Sequence, residues 1–166
     1  MTRPIFRSRR ELLATVPFGL AAIWILSTPG AAVSGTRITK TPAEWMRELG
    51  PARFEILREA GTEPPFSSPL NRERRQGVFR CAGCALPLFS SSTKFDSGTG
   101  WPSFYRALPG SVSTRLDHSL LMERTEVLCS RCGGHLGHVF PDGPKPTGLR
   151  YCMNGLALEF APRATA

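Results

Sequence analysis

Apolar positions along the chain change their rhythm near Gly77. Upstream, Thr41-Pro42-Ala43-Glu44 predicts a helix start: Thr41 caps, Pro42 suits the first helical position, and Glu44 closes a capping box. That helix is expected to end at Gly50. Pro51 then opens a second short helix with Phe54 and Leu57 on one side and Gly61 as its stop. From Thr62 to Gly77 the chain is polar, and Pro64, Pro65 and Pro69 exclude a long helix or a central strand. This stretch is expected to wrap the surface. Beyond Gly77 short strands are predicted at Val78–Cys81, Leu86–Phe89, Ser111–Leu116, Leu120–Leu128, Leu136–Phe140, Arg150–Asn154 and Leu156–Phe160. The Gly and Pro residues between them point to an all-β sandwich or open barrel.

Ahead of this domain the pattern is different. Arg7, Arg9 and Arg10 precede an apolar run from Leu12 to Leu26, and small residues follow from Pro29 to Ser34. A basic start, a short apolar middle and a small-residue cleavage region form a signal peptide, with cleavage expected near Ala32. Ser8-Arg9-Arg10-Glu11-Leu12-Leu13 resembles a twin-arginine address, which predicts export to the periplasm of an already folded, metal-loaded chain. The alternative is an uncleaved membrane anchor, but the run is shorter than the roughly 20 residues of a span and contains Pro17, so no stable membrane insertion is expected. The expected organisation is residues 1–32 as signal segment, 33–40 as linker, 41–161 as the domain and 162–166 as a tail.

The chain has 166 residues, 41% of them hydrophobic, enough for one domain with a real core. Its net charge of +8 raises the question of nucleic-acid binding. Three of those net positive charges lie in residues 1–32, however, and the densest later patch, Arg72, Arg74 and Arg75, is interrupted by Glu73. A mildly basic soluble domain with no nucleic-acid partner is the expected reading.

Cysteine spacing is the most specific signal. Cys81-Ala82-Gly83-Cys84 and Cys129-Ser130-Arg131-Cys132 are matched C-x-x-C knuckles, and Cys152 stands alone. Two such turns supply four thiolates in the closed tetrahedral geometry of a structural Zn(2+). Gly83 and Gly133-Gly134 suit the tight turns. The 44 residues between the pairs exceed a simple zinc ribbon, so one metal would pin two distant hairpins of a larger sheet. Two disulfides are the competing use of the same four residues. A thioredoxin-like pair would need a βαβ context that the pattern lacks.

Cys152 lies in the strand-like segment Arg150-Tyr151-Cys152-Met153-Asn154, where alternation puts Arg150, Cys152 and Asn154 on one face. A cationic neighbour favours thiolate, and an amide nearby can hydrogen-bond a substrate oxygen or the sulfur. His135 and His138 offer imidazoles for proton transfer, but their three-residue spacing does not fit one face of a regular strand; Gly137 is a candidate for a bulge that re-aims one of them. Trp101, in the glycine-proline loop Ser97 to Phe104, is suited to the apolar wall of a small pocket. Each feature alone also has a purely structural explanation. The combination raises catalysis above it.

The combination resembles the methionine sulfoxide reductase B family, through Phe79 to Cys84, Ser97 to Phe104, Cys129 to Asp142 and Gly148 to Asn154. The resemblance spans about Thr41 to Phe160. It implies a mainly β fold of two antiparallel sheets, packed as a zinc-clamped sandwich or tent with short N-terminal helices. It also implies reduction of the R epimer of peptide-bound methionine sulfoxide. In that reading Cys152 attacks the sulfoxide sulfur and becomes a sulfenic acid. His138 protonates the oxygen, His135 and Asn154 help hold it, Trp101 and Phe140 enclose the methyl group, and Arg150 favours the thiolate. Many family members carry a second, resolving cysteine where this chain has Thr99. The expected cycle therefore uses one cysteine, with a thioredoxin-like protein or small thiol as reductant, oxidised proteins or peptides as substrate, and a monomeric enzyme. The alternative is a non-catalytic binding module on the same zinc-clamped fold.

Overall fold

Thr41 caps the first helix as its sequence predicts. Its Oγ1 accepts the Glu44 backbone N–H at 3.3 Å, and the Glu44 carboxylate accepts the Thr41 N–H at 2.7 Å. The computed structural model describes residues 36–118 and 123–164; the predicted signal segment, residues 1–32, lies outside the described residues. Helix α1, Pro42–Glu59, is interrupted at Gly50, whose φ of 69° and ψ of 168° are non-helical. The two predicted helices therefore run on from one another across a kink. The stop is Ala60, left-handed with φ 53°, rather than Gly61. Gly61 is used for space: an added Cβ would lie 3.0 Å from the Glu55 carbonyl, to which its own N–H donates. Among the described residues no helix is long and apolar enough to cross a membrane.

Nine strands follow among the described residues. They are β1 Gly77–Cys81, β2 Pro87–Ser90, β3 Lys94–Phe95, β4 Ser103–Phe104, β5 Val112–Asp117, β6 Arg124–Cys129, β7 His135–Phe140, β8 Arg150–Met153 and β9 Leu158–Pro162. All pairings are antiparallel, in a three-stranded sheet of order β2-β1-β9 and a six-stranded sheet of order β3-β4-β8-β7-β6-β5. The fold is thus mainly β, two antiparallel sheets preceded by short helical segments. Phe104 of the six-stranded sheet packs between Phe79 and Phe89 of the other, at ring-centroid distances of 4.8 and 4.4 Å. All three rings are fully buried, and each contributes roughly 2–3 kcal/mol of transfer free energy.

Further expectations need correction. The strands β3 and β4 are too short to leave a periodic signal, yet β4 pairs directly with β8. The strand predicted to begin at Leu156 begins at Leu158, because the Glu63 carboxylate accepts the N–H groups of Gly155 and Leu156 at 2.5 and 3.0 Å and draws them into a 3-10 turn. For the same reason the segment from Thr62 to Gly77 does more than wrap the surface: Glu63 and Ser68 are buried.

Both cysteine knuckles close in the same way. The N–H of Ala85 donates to Cys81 O at 2.7 Å, and that of Gly133 to Cys129 O at 2.8 Å. The residue after each second cysteine is left-handed, Ala85 at φ 57° and Gly133 at φ 67°. Gly83 has no such φ, and a Cβ there would make only ordinary contacts with the Leu57 and Trp45 side chains, at 3.6 and 3.7 Å. A left-handed alanine costs about 1–2 kcal/mol, partly offset by glycine's greater unfolded-state entropy. Ala85→Gly should therefore stabilise the domain by about 0.5–1 kcal/mol in a denaturant titration; a fall in stability would show that the first knuckle is unstrained.

Candidate active site and metal centre

Cys152 sits in β8 between two partners, His138 of β7 on one side and Ser103 of β4 on the other. The antiparallel ladder thus places an imidazole and a hydroxyl beside one half-buried sulfur. A pocket of about 120 Å³ opens there, lined by Thr62, Trp101, Arg124, Gly137, His138, Phe140, Cys152 and Asn154. Five of the seven residues assigned from sequence to chemistry or substrate line this one space. His135 and Arg150 do not line it but pack against residues that do, His138 and Phe140.

The histidine spacing is resolved by a bulge. Val127 of β6 pairs with Gly137, but the next residue, Leu128, pairs with His135, so Leu136 is the extra residue. The two rings then approach to 5.5 Å between centroids. Gly137 carries a φ of 150°, and a Cβ there would lie 2.1 Å from the Cys152 carbonyl oxygen. Only glycine lets β7 approach the Cys152 backbone this closely.

Each imidazole is held by a carboxylate. His138 Nε2 lies 2.8 Å from Asp117 Oδ2, which also accepts from Arg124 Nη2 at 2.7 Å. His135 Nδ1 lies 2.7 Å from Glu126 Oε1, and Arg115 bonds the other Glu126 oxygen. Burial raises the Glu126 carboxyl, but the bonds from Arg115 and His135 outweigh it and leave the group below its usual range. Burial pushes His135 below the ordinary histidine value against the opposing pull of Glu126. A neutral His135 donating Nδ1–H to Glu126 leaves Nε2 as a buried lone pair with no partner among the described residues.

The remaining residues frame the pocket. Arg150 forms a two-pronged bond to Asp142, at 2.8 and 2.7 Å, and its guanidinium lies 4.4 Å from the Phe140 ring centroid. Asp142 chiefly, with the Cys152 sulfur as a smaller contributor, raises the Arg150 guanidinium further above neutrality. Asn154 falls one residue beyond β8 and is buried. Its Oδ1 accepts the Glu63 N–H at 3.0 Å, while Trp101 Nε1 donates to the Glu63 carbonyl at 3.0 Å. One residue of the proline-broken segment thereby fixes two walls of the pocket.

The SelR domain family matches residues 49–162 of the chain. The peptide methionine sulfoxide reductase MsrB of Thiobacillus denitrificans is 58% identical over 125 residues, covering 75% of this chain and 95% of the relative. The MsrB proteins of Agrobacterium fabrum and Leptospira interrogans are 50% and 52% identical, over 131 and 124 residues; the alignments cover 78% and 74% of this chain, and 97% and 95% of those proteins. The chain belongs to the SelR, or methionine sulfoxide reductase B, family. Within this family member, sequence reasoning missed Thr62, Glu63, Asp117, Arg124 and Glu126. Only Glu126 left a usable trace, a carboxylate opposite His138 at an inward position of a strand.

The other four cysteines gather apart from Cys152. Their sulfurs all lie within 4.8 Å of one another, with Cys81–Cys132 at 3.7 Å and Cys84–Cys129 at 3.5 Å. A disulfide needs about 2.05 Å. A tetrahedral metal with bonds of about 2.3 Å holds its sulfurs about 3.8 Å apart. The spacing fits a metal and excludes two disulfides. The purified protein should carry one tightly held divalent ion per chain by elemental mass spectrometry. Cys81→Ser should lose it and, at a cost on the order of 10 kcal/mol, fail to fold; a folded, metal-free variant would refute the assignment.

Proposed function

We propose that this protein reduces peptide-bound methionine (R)-sulfoxide to methionine through a one-cysteine cycle at Cys152. Near-complete coverage of relatives named peptide methionine sulfoxide reductase supports the activity. The observation that carries the cycle is the division of sulfurs: four cysteines share one cluster, and Cys152 faces the pocket with Thr99, not a cysteine, at its side.

The Cys152 thiolate attacks the sulfoxide sulfur while His138 delivers a proton to the oxygen. Asp117 Oδ2, 2.8 Å from His138 Nε2, orients this donor. Asn154 and His135 hold the oxygen, directly or through water; a lone pair at His135 Nε2 accepts from such a water. Trp101 and Phe140 enclose the methyl group, and Arg150 lies beside the sulfur's charge. In sum, a thiol and a sulfoxide become a sulfenic acid and a thioether: Cys152 gives up two electrons and the sulfoxide gains them. An external thiol then attacks the sulfenic sulfur and releases water, leaving a mixed disulfide, which a second thiol reduces. The reductant is a thioredoxin-like protein or a small thiol.

Zn(2+) held by Cys81, Cys84, Cys129 and Cys132 supplies a structural crosslink when bound. A monomer exported to the periplasm through the twin-arginine segment, with residues 1–32 removed, completes the reading; mass spectrometry of the exported protein reports the new N-terminus.

Cys152→Ser should abolish turnover of a methionine (R)-sulfoxide peptide with dithiothreitol while leaving metal content unchanged. After one turnover without reductant, the wild type should carry a dimedone-reactive sulfenic acid at Cys152. Thr99→Cys should instead form an intramolecular disulfide with Cys152. A native disulfide between Cys152 and any cluster cysteine would overturn the cycle.

A further inference from the structure

A line of hydroxyls runs from the core to the reactive sulfur. Ser103, fully buried on β4, lies opposite Cys152 in the ladder. Its Oγ is 2.7 Å from Ser97 Oγ, which is 2.8 Å from Thr99 Oγ1, which is 3.7 Å from Cys152 Sγ. The far end meets the Trp101 carbonyl, 3.1 Å from Ser103 Oγ. A hydroxyl has one proton to donate and lone pairs to accept, so three in series admit two directions.

In the first direction Ser103 donates to Ser97, Ser97 to Thr99, and Thr99 to a thiolate at Cys152. In the second a proton on the sulfur group is donated to Thr99, Thr99 donates to Ser97, Ser97 to Ser103, and Ser103 to the Trp101 carbonyl. Switching between them needs only rotation about three C–O bonds. No proton changes owner, and at most the Trp101 carbonyl loses its Ser103 donor.

We propose that Thr99, backed by Ser97 and Ser103, is a reversible hydrogen-bond relay. It donates to the Cys152 thiolate before attack and accepts from the sulfenic acid S–OH afterwards. The proposal rests on the one-cysteine reading above and deepens it, giving the residue in the resolving position a role of its own. Thr99 touches the reacting sulfur; Ser97 and Ser103 are positioning residues that act through it.

The charged groups around Cys152 make the relay's flank distinctive. Arg150 stands on its own strand with Asp142 attached, His138 on β7, Arg124 and Glu126 on β6, and Asp117 on β5. On the relay side, Asp96 accepts the Gly98 N–H at 3.0 Å and Lys94 donates to the Asn71 carbonyl at 2.9 Å. Neither belongs to the line of hydroxyls, which ends on the sulfur as a neutral dipole chain.

The test is the rate at which iodoacetamide alkylates Cys152 in the reduced, metal-loaded full chain, followed by peptide mass spectrometry as a function of pH. Thr99→Val should slow alkylation at pH 7 about tenfold and displace the profile to higher pH, whereas Thr99→Ser should stay within about twofold of wild type. Ser97→Ala and Ser103→Ala should each slow it about two- to threefold. Melting temperature and metal content confirm folding, and the half-buried Ser97 site serves if Ser103→Ala does not fold. A Thr99→Val profile superimposed on wild type, or a Ser97→Ala profile that does not move, would overturn the relay. The readout needs no sulfoxide, so a chain that alkylates as expected yet reduces no sulfoxide would defeat the proposed activity and leave the relay standing.

Discussion

Four sulfur atoms packed within 4.8 Å of one another set the terms for the rest of the molecule. Cys81 ends β1 in the three-stranded sheet, and Cys129 ends β6 in the six-stranded one. The cluster is therefore a bond between sheets. Four thiolates this close repel strongly unless a cation stands among them, and four neutral thiols would be a weakly cohesive core. The surroundings are built to seal the cluster. Leu57 of α1 lies against both knuckles, Arg58 donates to the Cys132 carbonyl at 3.1 Å, and Arg131 donates to the Cys84 carbonyl at 3.2 Å. A clamp closing a 44-residue span between knuckles removes much unfolded-state freedom, which two small sheets need.

The pocket depends on the same anchor through the strand register. Cys129 and the Gly134 carbonyl are bonded at one end of the β6–β7 hairpin, at 2.9 Å. From there the ladder runs to Arg124 and Asp117 at the other end, interrupted once by the bulge at Leu136. Pinning the hairpin at its cysteine end leaves the bulge no freedom to migrate. A slip of one residue would exchange His138 for a neighbour opposite Cys152. The distance along β6 from Cys129 to Glu126 is three residues, about 10 Å. The cysteine cluster is thus near enough to fix the register while contributing none of the pocket's lining.

Much of this was legible from the chain. The capping box at Thr41 and Glu44, the break at Gly50, the strands with alternating apolar residues and the two knuckles are local signals, written in a few adjacent residues. The placement of His135 beside His138 was half legible: their spacing conflicted with a plain strand, and Gly137 offered the remedy. What could not be read were contacts between segments far apart. Glu63 looks like one more polar residue in a proline-rich stretch, yet its carboxylate, carbonyl and N–H are all engaged by residues from 38 to 93 positions away. Asp117 and Arg124 sit among other charged and polar residues, where charges are unremarkable in sequence. Ala60 adopts the left-handed conformation that sequence assigns to its neighbour Gly61, which is used for clearance instead, and Ala85 takes a left-handed φ of its own after the first knuckle.

The sulfur at the centre of the site has two unlike flanks, and the strand order explains why. On the β7 side, successive antiparallel pairings bring imidazoles, carboxylates and guanidinium groups into a network whose charges nearly balance. On the β4 side the groups lined up on the sulfur are Ser103, Ser97 and Thr99, neutral hydroxyls whose dipoles can reverse. The cycle proposed for this sulfur, through thiolate and sulfenic acid, draws on both. The charged flank can move a proton, but its pairings are stiff, since turning one group breaks several bonds. The hydroxyl flank moves no charge, but it reorients at little cost. β8 is central because only a strand with neighbours on both edges can hold one atom between such different surroundings.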